Sequence, residues 1–213
     1  MKNGRTVTRS LPRTFERIPV RQLSAISALV AAAAALRMGM NWLAYVMPIP
    51  TYGVLIKIGL SETLAFTCGF AFGPIQGFIT GALIIIVSDI FTWAGIWTPF
   101  IAAIIGMLGF IGGILRRFRS NPSTIFLGAS AVSLTLISEL LQNLWFAWYM
   151  QAFYMPETPF IIVLGMTFVG GIKSAIVALI NNIVLFITIV PRIVEVLRNV
   201  VMLDDASKEA DLP

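Results

Sequence analysis

Thr135, Glu139, Gln142, Asn143 and Phe146 recur at spacings of three and four residues within an apolar stretch. At about 100° per residue they share one face of a helix. A carboxylate, two amides and an aromatic ring on one face can grip a polar, planar small molecule. Interhelical hydrogen bonding is the structural alternative. Leu136, Leu140 and Leu144 cover another face, suited to lipid or packing. The last apolar stretch adds Lys173, Ser174, Asn181 and Asn182. The two asparagines lie toward its far end and suit contacts between helices, which leaves Lys173 as the better ligand candidate.

Six charged residues interrupt the apolar stretches: Arg37, Lys57, Glu62, Asp89, Glu139 and Lys173, three of each sign. Each costs about 2.5–3.5 kcal/mol at the centre of a membrane helix, so six cost on the order of 18 kcal/mol. That exceeds the net stability of a typical domain. Pairing between helices, or exposure to a wet cavity, must offset it. Lys57 and Asp89 lie near one face of the membrane and can snorkel. Arg37, Glu139 and Lys173 lie deeper.

The residue inventory argues against catalysis. Histidine is absent and Cys68 is the single cysteine, so no metal site of Cys/His type, no histidine base and no intrachain disulfide is expected. Gly170-Gly171-Ile172-Lys173-Ser174 has the wrong spacing for a phosphate-binding loop and lies in an apolar span. HExxH and GxSxG motifs are missing. Asp89 and Glu139 have no nucleophile or metal constellation beside them. The expectation is a non-enzyme without cofactor or metal; any ATP hydrolysis must come from another chain.

The elements that position these residues follow from composition. The 213 residues are 58% hydrophobic and 12% charged, with mean hydropathy +0.89. A soluble chain carries roughly 45–50% apolar and about 25% charged residues. Six segments reach the length of about 20 residues that a spanning helix needs: Leu23–Met47, Tyr52–Phe72, Gln76–Trp93, Thr98–Leu115, Ser123–Tyr149 and Phe160–Val190. The sequence therefore predicts an all-α integral membrane protein, six transmembrane helices in a single compact bundle. Residues 1–22 form a basic tail, 23–193 the bundle and 194–213 a C-terminal tail. Spacing of Ile193, Leu197 and Val200 allows the last helix to continue beyond the membrane, whereas the acidic stretch Asp204–Pro213 is expected to be disordered.

Lys and Arg collect in the first 22 residues, at Arg116, Arg117 and Arg119, and after Pro191; the first, third and fifth connections have none. By the positive-inside rule both termini are cytoplasmic. The net charge of +5 is thus a topology signal with contact to anionic membrane lipid, not a nucleic-acid footprint. Trp42, Trp93, Trp97, Trp145, Trp148, Tyr45, Tyr52, Tyr149 and Tyr154 all map to the outer half. A membrane belt decorates both interfaces, so this one-sidedness suggests an outward pocket with stacking surfaces.

In the first span Ser24, Ala28, Ala31, Ala32 and Ala35 form a small-residue stripe, with Ala28 about 180° from Arg37. Such a face permits close approach of another membrane helix; packing within the chain is the alternative. Gly73, Gly77 and Gly81 repeat every four residues, as do Gly109 and Gly113, and look like internal packing seams.

The stretch Leu55-Ile56-Lys57-Ile58-Gly59-Leu60, then Phe70-Ala71-Phe72-Gly73-Pro74-Ile75-Gln76-Gly77 and Ser88-Asp89, resembles the substrate-binding S component of energy-coupling factor (ECF) vitamin transporters. That family commonly has a Gly-Pro-x-x-Gly turn between its second and third helices and an acidic residue closing the third. The alanine stripe is similar to its Ala-x-x-x-Ala contact motif, in the register Ala28–Ala32 or Ala31–Ala35, and Lys173 to a lysine of its sixth helix. The resemblance implies capture of a vitamin-like micronutrient from outside. It also implies partnership with a transmembrane coupling protein and two cytosolic ATPases at the cell membrane. Its pocket would draw on Tyr52, Trp93, Trp97, Glu139, Gln142, Asn143, Trp145, Tyr149 and Lys173. A structural scaffold similar to the rod-shape-determining membrane proteins and a stand-alone secondary transporter are the alternatives.

Overall fold

The computed structural model describes the backbone of residues 20–46, 59–119 and 122–210, and side chains within 20–43, 59–119 and 122–199. Tyr52 and Lys57 lie outside the described residues. The described residues form six helices and no strand: α1 Val20–Val46, α2 Leu60–Phe72, α3 Pro74–Phe91, α4 Thr98–Phe118, α5 Thr124–Phe153 and α6 Phe160–Ala210. All except α2 are long and apolar enough to cross a membrane by length and composition. At 13 residues, α2 covers about 20 Å, short of a hydrocarbon core of about 30 Å. Only this part of the expected span Tyr52–Phe72 is described.

Surface chemistry agrees with a bilayer rather than water. Leu36, Ile75, Ile90, Ile161, Ile172 and Ile180 are exposed, whereas a water-facing helix surface would be polar. Buried polar residues instead concentrate inside: Thr63, Thr67, Thr80, Ser88, Asp89, Ser138, Glu139 and Asn182.

Long-range contacts give the helix directions. Arg116 on α4 donates to the Ala71 carbonyl near the end of α2, and the Arg198 guanidinium of α6 stands 6.0 Å from the Phe70 ring centroid. These contacts define an arginine end, toward which α2, α4 and α6 run. Arg37, Asp89 and Thr98 meet at the opposite, aromatic end.

Two apolar clusters hold the bundle. One joins α2–α6 through Phe66, Phe70, Ile105, Leu108, Leu127, Leu134, Phe186 and Val190, with Phe66 and Phe186 rings 4.7 Å apart. The other seats α1 on α2 and α3 through Ile26, Val30, Ala33, Leu64, Cys68 and Ile84. The expected glycine seam lies between α3 and α4. A Cβ on Gly77 would sit 2.3 Å from the Gly109 carbonyl oxygen, and one on Gly109 2.2 Å from that of Gly77. The two backbones touch, which only glycine permits. Gly73 turns the chain with φ of 125° and Pro74 opens α3, where its missing N–H costs nothing.

The last helix continues past the predicted span Phe160–Val190, as the spacing of Ile193, Leu197 and Val200 allows. It runs 51 residues through Pro191 to Ala210, about 76 Å, far more than a bilayer requires. Val194 remains buried in the same core as Val190 and Leu197 is buried as well, so the 193/194 boundary falls inside one continuous element. Backbone of residues 204–210, expected to be disordered, is helical. Extending an existing helix needs no costly new nucleus, which composition alone does not register.

Candidate functional site

At the aromatic end, three helices and one connection line an open cavity of about 510 Å³. Phe100, Ile101 and Ile104 line it from α4. Glu139, Gln142, Asn143, Trp145, Phe146 and Met150 line it from α5. Val163, Met166, Thr167, Gly170, Gly171 and Ser174 do so from α6, and Met155 from the connection. Its size lies within the range of about 300–1,000 Å³ usual for small-molecule pockets. Against it, across Trp145, Phe146 and Met150, lies a second space of about 440 Å³ walled by Trp97, Tyr149 and Tyr154.

Local geometry fixes the polar lining. Asn143 Nδ2 donates to the Glu139 carbonyl at 2.8 Å, and Gln142 Nε2 donates to Ser138 Oγ at 2.8 Å. Both bonds span one helical turn, so they hold the amides against α5 itself. Asn143 Oδ1 lies 3.6 Å from where a Gly171 Cβ would be. A glycine there leaves room for the amide between α5 and α6. Ser174 Oγ donates to the Gly171 carbonyl and Thr167 Oγ1 to that of Leu164, each at 2.8 Å.

Aromatic rings build the wall. Trp145 contacts Phe100 at 5.2 Å between centroids and stacks on Tyr149 at 5.5 Å with 12° between planes. The buried Trp145 Nε1 has no hydrogen-bond partner. Tyr149 and Tyr154 hydroxyls are 3.4 Å apart. Trp97 folds over Gly95, whose Cβ would meet the indole at 2.5 Å.

Of the predicted pocket residues, the structure brings Glu139, Gln142, Asn143 and Trp145 into the larger cavity, and Trp97 and Tyr149 into the adjoining space. Trp93 is exposed in the α3–α4 connection and lines neither. Lys173 is also exposed and lines neither. It lies one residue, about 100°, from Ser174, and the cavity stripe Val163, Met166, Thr167, Gly170, Gly171 and Ser174 defines the other face. That i, i+3, i+4, i+7 pattern is visible in the sequence. The charge at Lys173 draws attention away from these small residues.

The intramembrane charges are partly consumed in structure. Arg37 pairs with Asp89 and donates to Ser88, while Thr98 Oγ1 donates to the other Asp89 oxygen at 2.8 Å. Asp89 is 2% exposed, so it does not snorkel as expected; it ties α1, α3 and α4 together. Asn182 Nδ2 donates to Thr135 Oγ1 at 2.8 Å and Glu62 Oε2 at 3.3 Å, a contact between α2, α5 and α6. A smaller space of about 160 Å³ is lined in part by Arg37, Glu62 and Gln142.

On α1, Ala28, Ala31, Ala32 and Ala35 are exposed, whereas Ala33 and Ala34 are buried. The stripe thus faces away from the bundle, opposite Arg37. Among the described residues no cluster of three or more His, Cys, Asp or Glu could hold a metal ion. Comparison of the chain with known families, curated proteins and solved structures finds no match.

Proposed function

We propose that this protein is a membrane-embedded solute-capture subunit, an S component of an ECF-type importer. It has six transmembrane helices with both termini, and hence the arginine end, cytoplasmic. The observation that carries the proposal is the cavity between α4, α5 and α6 at the aromatic end, with the Glu139, Gln142 and Asn143 face inside it. Its mouth would then lie at the outer face of the cell membrane, where a solute arrives. Toward the arginine end the described helices pack through the core of Leu108, Leu127, Leu134 and Phe186, which suits capture of a solute better than a channel.

A capture subunit of this kind needs partners to complete transport. The outward alanine stripe of α1 supplies a flat surface for a transmembrane coupling protein, and two cytosolic ATPases would supply energy. The protein itself performs no chemical conversion.

The test is purification of the full chain from its native membrane in mild detergent. Mass spectrometry is then applied to released small molecules and retained proteins. A stoichiometric small metabolite together with a coupling protein and two ATPases is the expected result. A folded protein that retains neither a metabolite nor an ATPase refutes the proposal.

A further inference from the structure

Hydrogen-bond polarity around the cavity leans toward acceptors. Asn143 spends one amide hydrogen on the Glu139 carbonyl. Because a carbonyl only accepts, this bond identifies the amide nitrogen and leaves Oδ1 as the acceptor beside Gly171. Gln142 spends a hydrogen on Ser138 Oγ. The Ser174 and Thr167 hydroxyl hydrogens are committed to backbone carbonyls, so both oxygens are left to accept. Glu139 adds a carboxylate, which only accepts when ionised. Against these acceptors stand the indole N–H of Trp145 and one remaining hydrogen on each amide.

Charge points the same way. Among the described lining residues, Glu139 is the charged one. Arg37 is engaged by Asp89, and Lys173 is exposed on another face of α6. The remaining wall includes the aromatic side chains of Phe100, Trp145 and Phe146, a residue class that attracts cations through the ring quadrupole. The neutral acceptors bias the cavity in this direction even where another protein group engages the Glu139 charge.

We infer that the cavity selects a planar solute bearing several N–H donors or a positive charge, such as a protonated amino-heterocycle, and discriminates against carboxylate- and phosphate-bearing solutes. This rests on the solute-capture proposal. An anion would oppose oxygen to oxygen around the lining and leave the half-buried acceptors Asn143, Thr167 and Ser174 without donors. Such mismatches discriminate more strongly than differences of shape.

Two probes of similar size and opposite character test it: 2-aminobenzimidazole, a planar donor-rich base, and indole-2-carboxylate. Binding to the full chain in phosphatidylcholine nanodiscs is measured by ligand-observed NMR up to millimolar concentration, with empty nanodiscs subtracted. The expected result is at least tenfold tighter binding of 2-aminobenzimidazole. Glu139→Gln should lower that preference at least threefold, and Asn143→Leu should weaken the base more than the carboxylate. Equal binding, or tighter binding of the carboxylate, overturns the solute class while leaving solute capture intact. Failure of 2-aminobenzimidazole to bind the folded wild-type protein also overturns the solute class, whereas solute capture itself stands or falls on the metabolite and ATPase recovery described above. The wild-type comparison decides the matter even if either variant fails to fold.

Discussion

Replacing Asp89 with asparagine keeps the volume and an acceptor for Thr98 but removes the charge opposite Arg37. Asp89 is the better-buried partner, with 3% of its side chain exposed against 20% for Arg37. At contact distance and an effective dielectric of about 20 the attraction is about 4 kcal/mol. Removing one partner of a buried pair typically costs about 3–5 kcal/mol, because the other charge is stranded. Arg37 lies toward the aromatic end and keeps some exposure, so it can relieve part of that cost. The expected loss for Asp89→Asn is therefore about 3 kcal/mol. The double variant Arg37→Met with Asp89→Leu removes both charges and should lie within about 1 kcal/mol of wild type. Reversible unfolding by sodium dodecyl sulfate in mixed micelles, followed by tryptophan fluorescence, measures Asp89→Asn and the four corners of the cycle: wild type, Arg37→Met, Asp89→Leu and the double variant. A single variant within about 0.5 kcal/mol of wild type would refute the structural role assigned to the pair. So would a double variant as damaged as the sum of the singles.

The glycine seam makes a second expectation: Gly109→Ala places Cβ 2.2 Å from the Gly77 carbonyl oxygen and should cost about 1–3 kcal/mol. Gly165→Ala, whose Cβ meets nothing within 4 Å, should be neutral or stabilising by up to about 1 kcal/mol; the same unfolding assay separates them, and equal effects would contradict the backbone contact. Asn182→Leu removes the bonds to Thr135 and Glu62 and should destabilise by about 1–3 kcal/mol, with an unchanged midpoint counting against that contact. On α1, Ala32→Trp should leave the protein folded but prevent recovery of the coupling protein in a pull-down. Ala33→Trp, at a site with no exposed area, should fail to fold. Normal recovery with Ala32→Trp argues against the alanine stripe as the partner face. Glu139→Ala and Asn143→Ala should each weaken solute binding in calorimetry without unfolding the protein, and unchanged affinity in both would remove them from the site.

Much of this molecule is dictated locally. Apolar runs of bilayer length specify helices because no water is present to satisfy a free backbone. Four-residue spacing of Gly73, Gly77 and Gly81 marks a seam, since a helix stacks such positions on one side. The 180° offset between Ala28 and Arg37 is enough to turn the alanines outward once Arg37 turns in. The Glu139, Gln142 and Asn143 face is likewise set by helical periodicity alone.

Partner choice is a different kind of information. Charges within apolar stretches require compensation on energetic grounds, yet the 52-residue separation of Arg37 and Asp89 gives no local sign that they meet. That pairing arises from how α1 crosses α3. Lys173 shows the limit from the other side. Its charge makes it conspicuous in the sequence, but a rotation of about 100° from Ser174 removes it from the cavity, and only the packing of α6 against α5 decides which face turns inward. The cavity lies between α4, α5 and α6, whereas α2, α3 and α4 close tightly at their glycines. Periodicity assigns each residue to a face. The contacts between helices decide what that face meets, and so whether a polar stripe becomes a packing seam or the wall of a binding site.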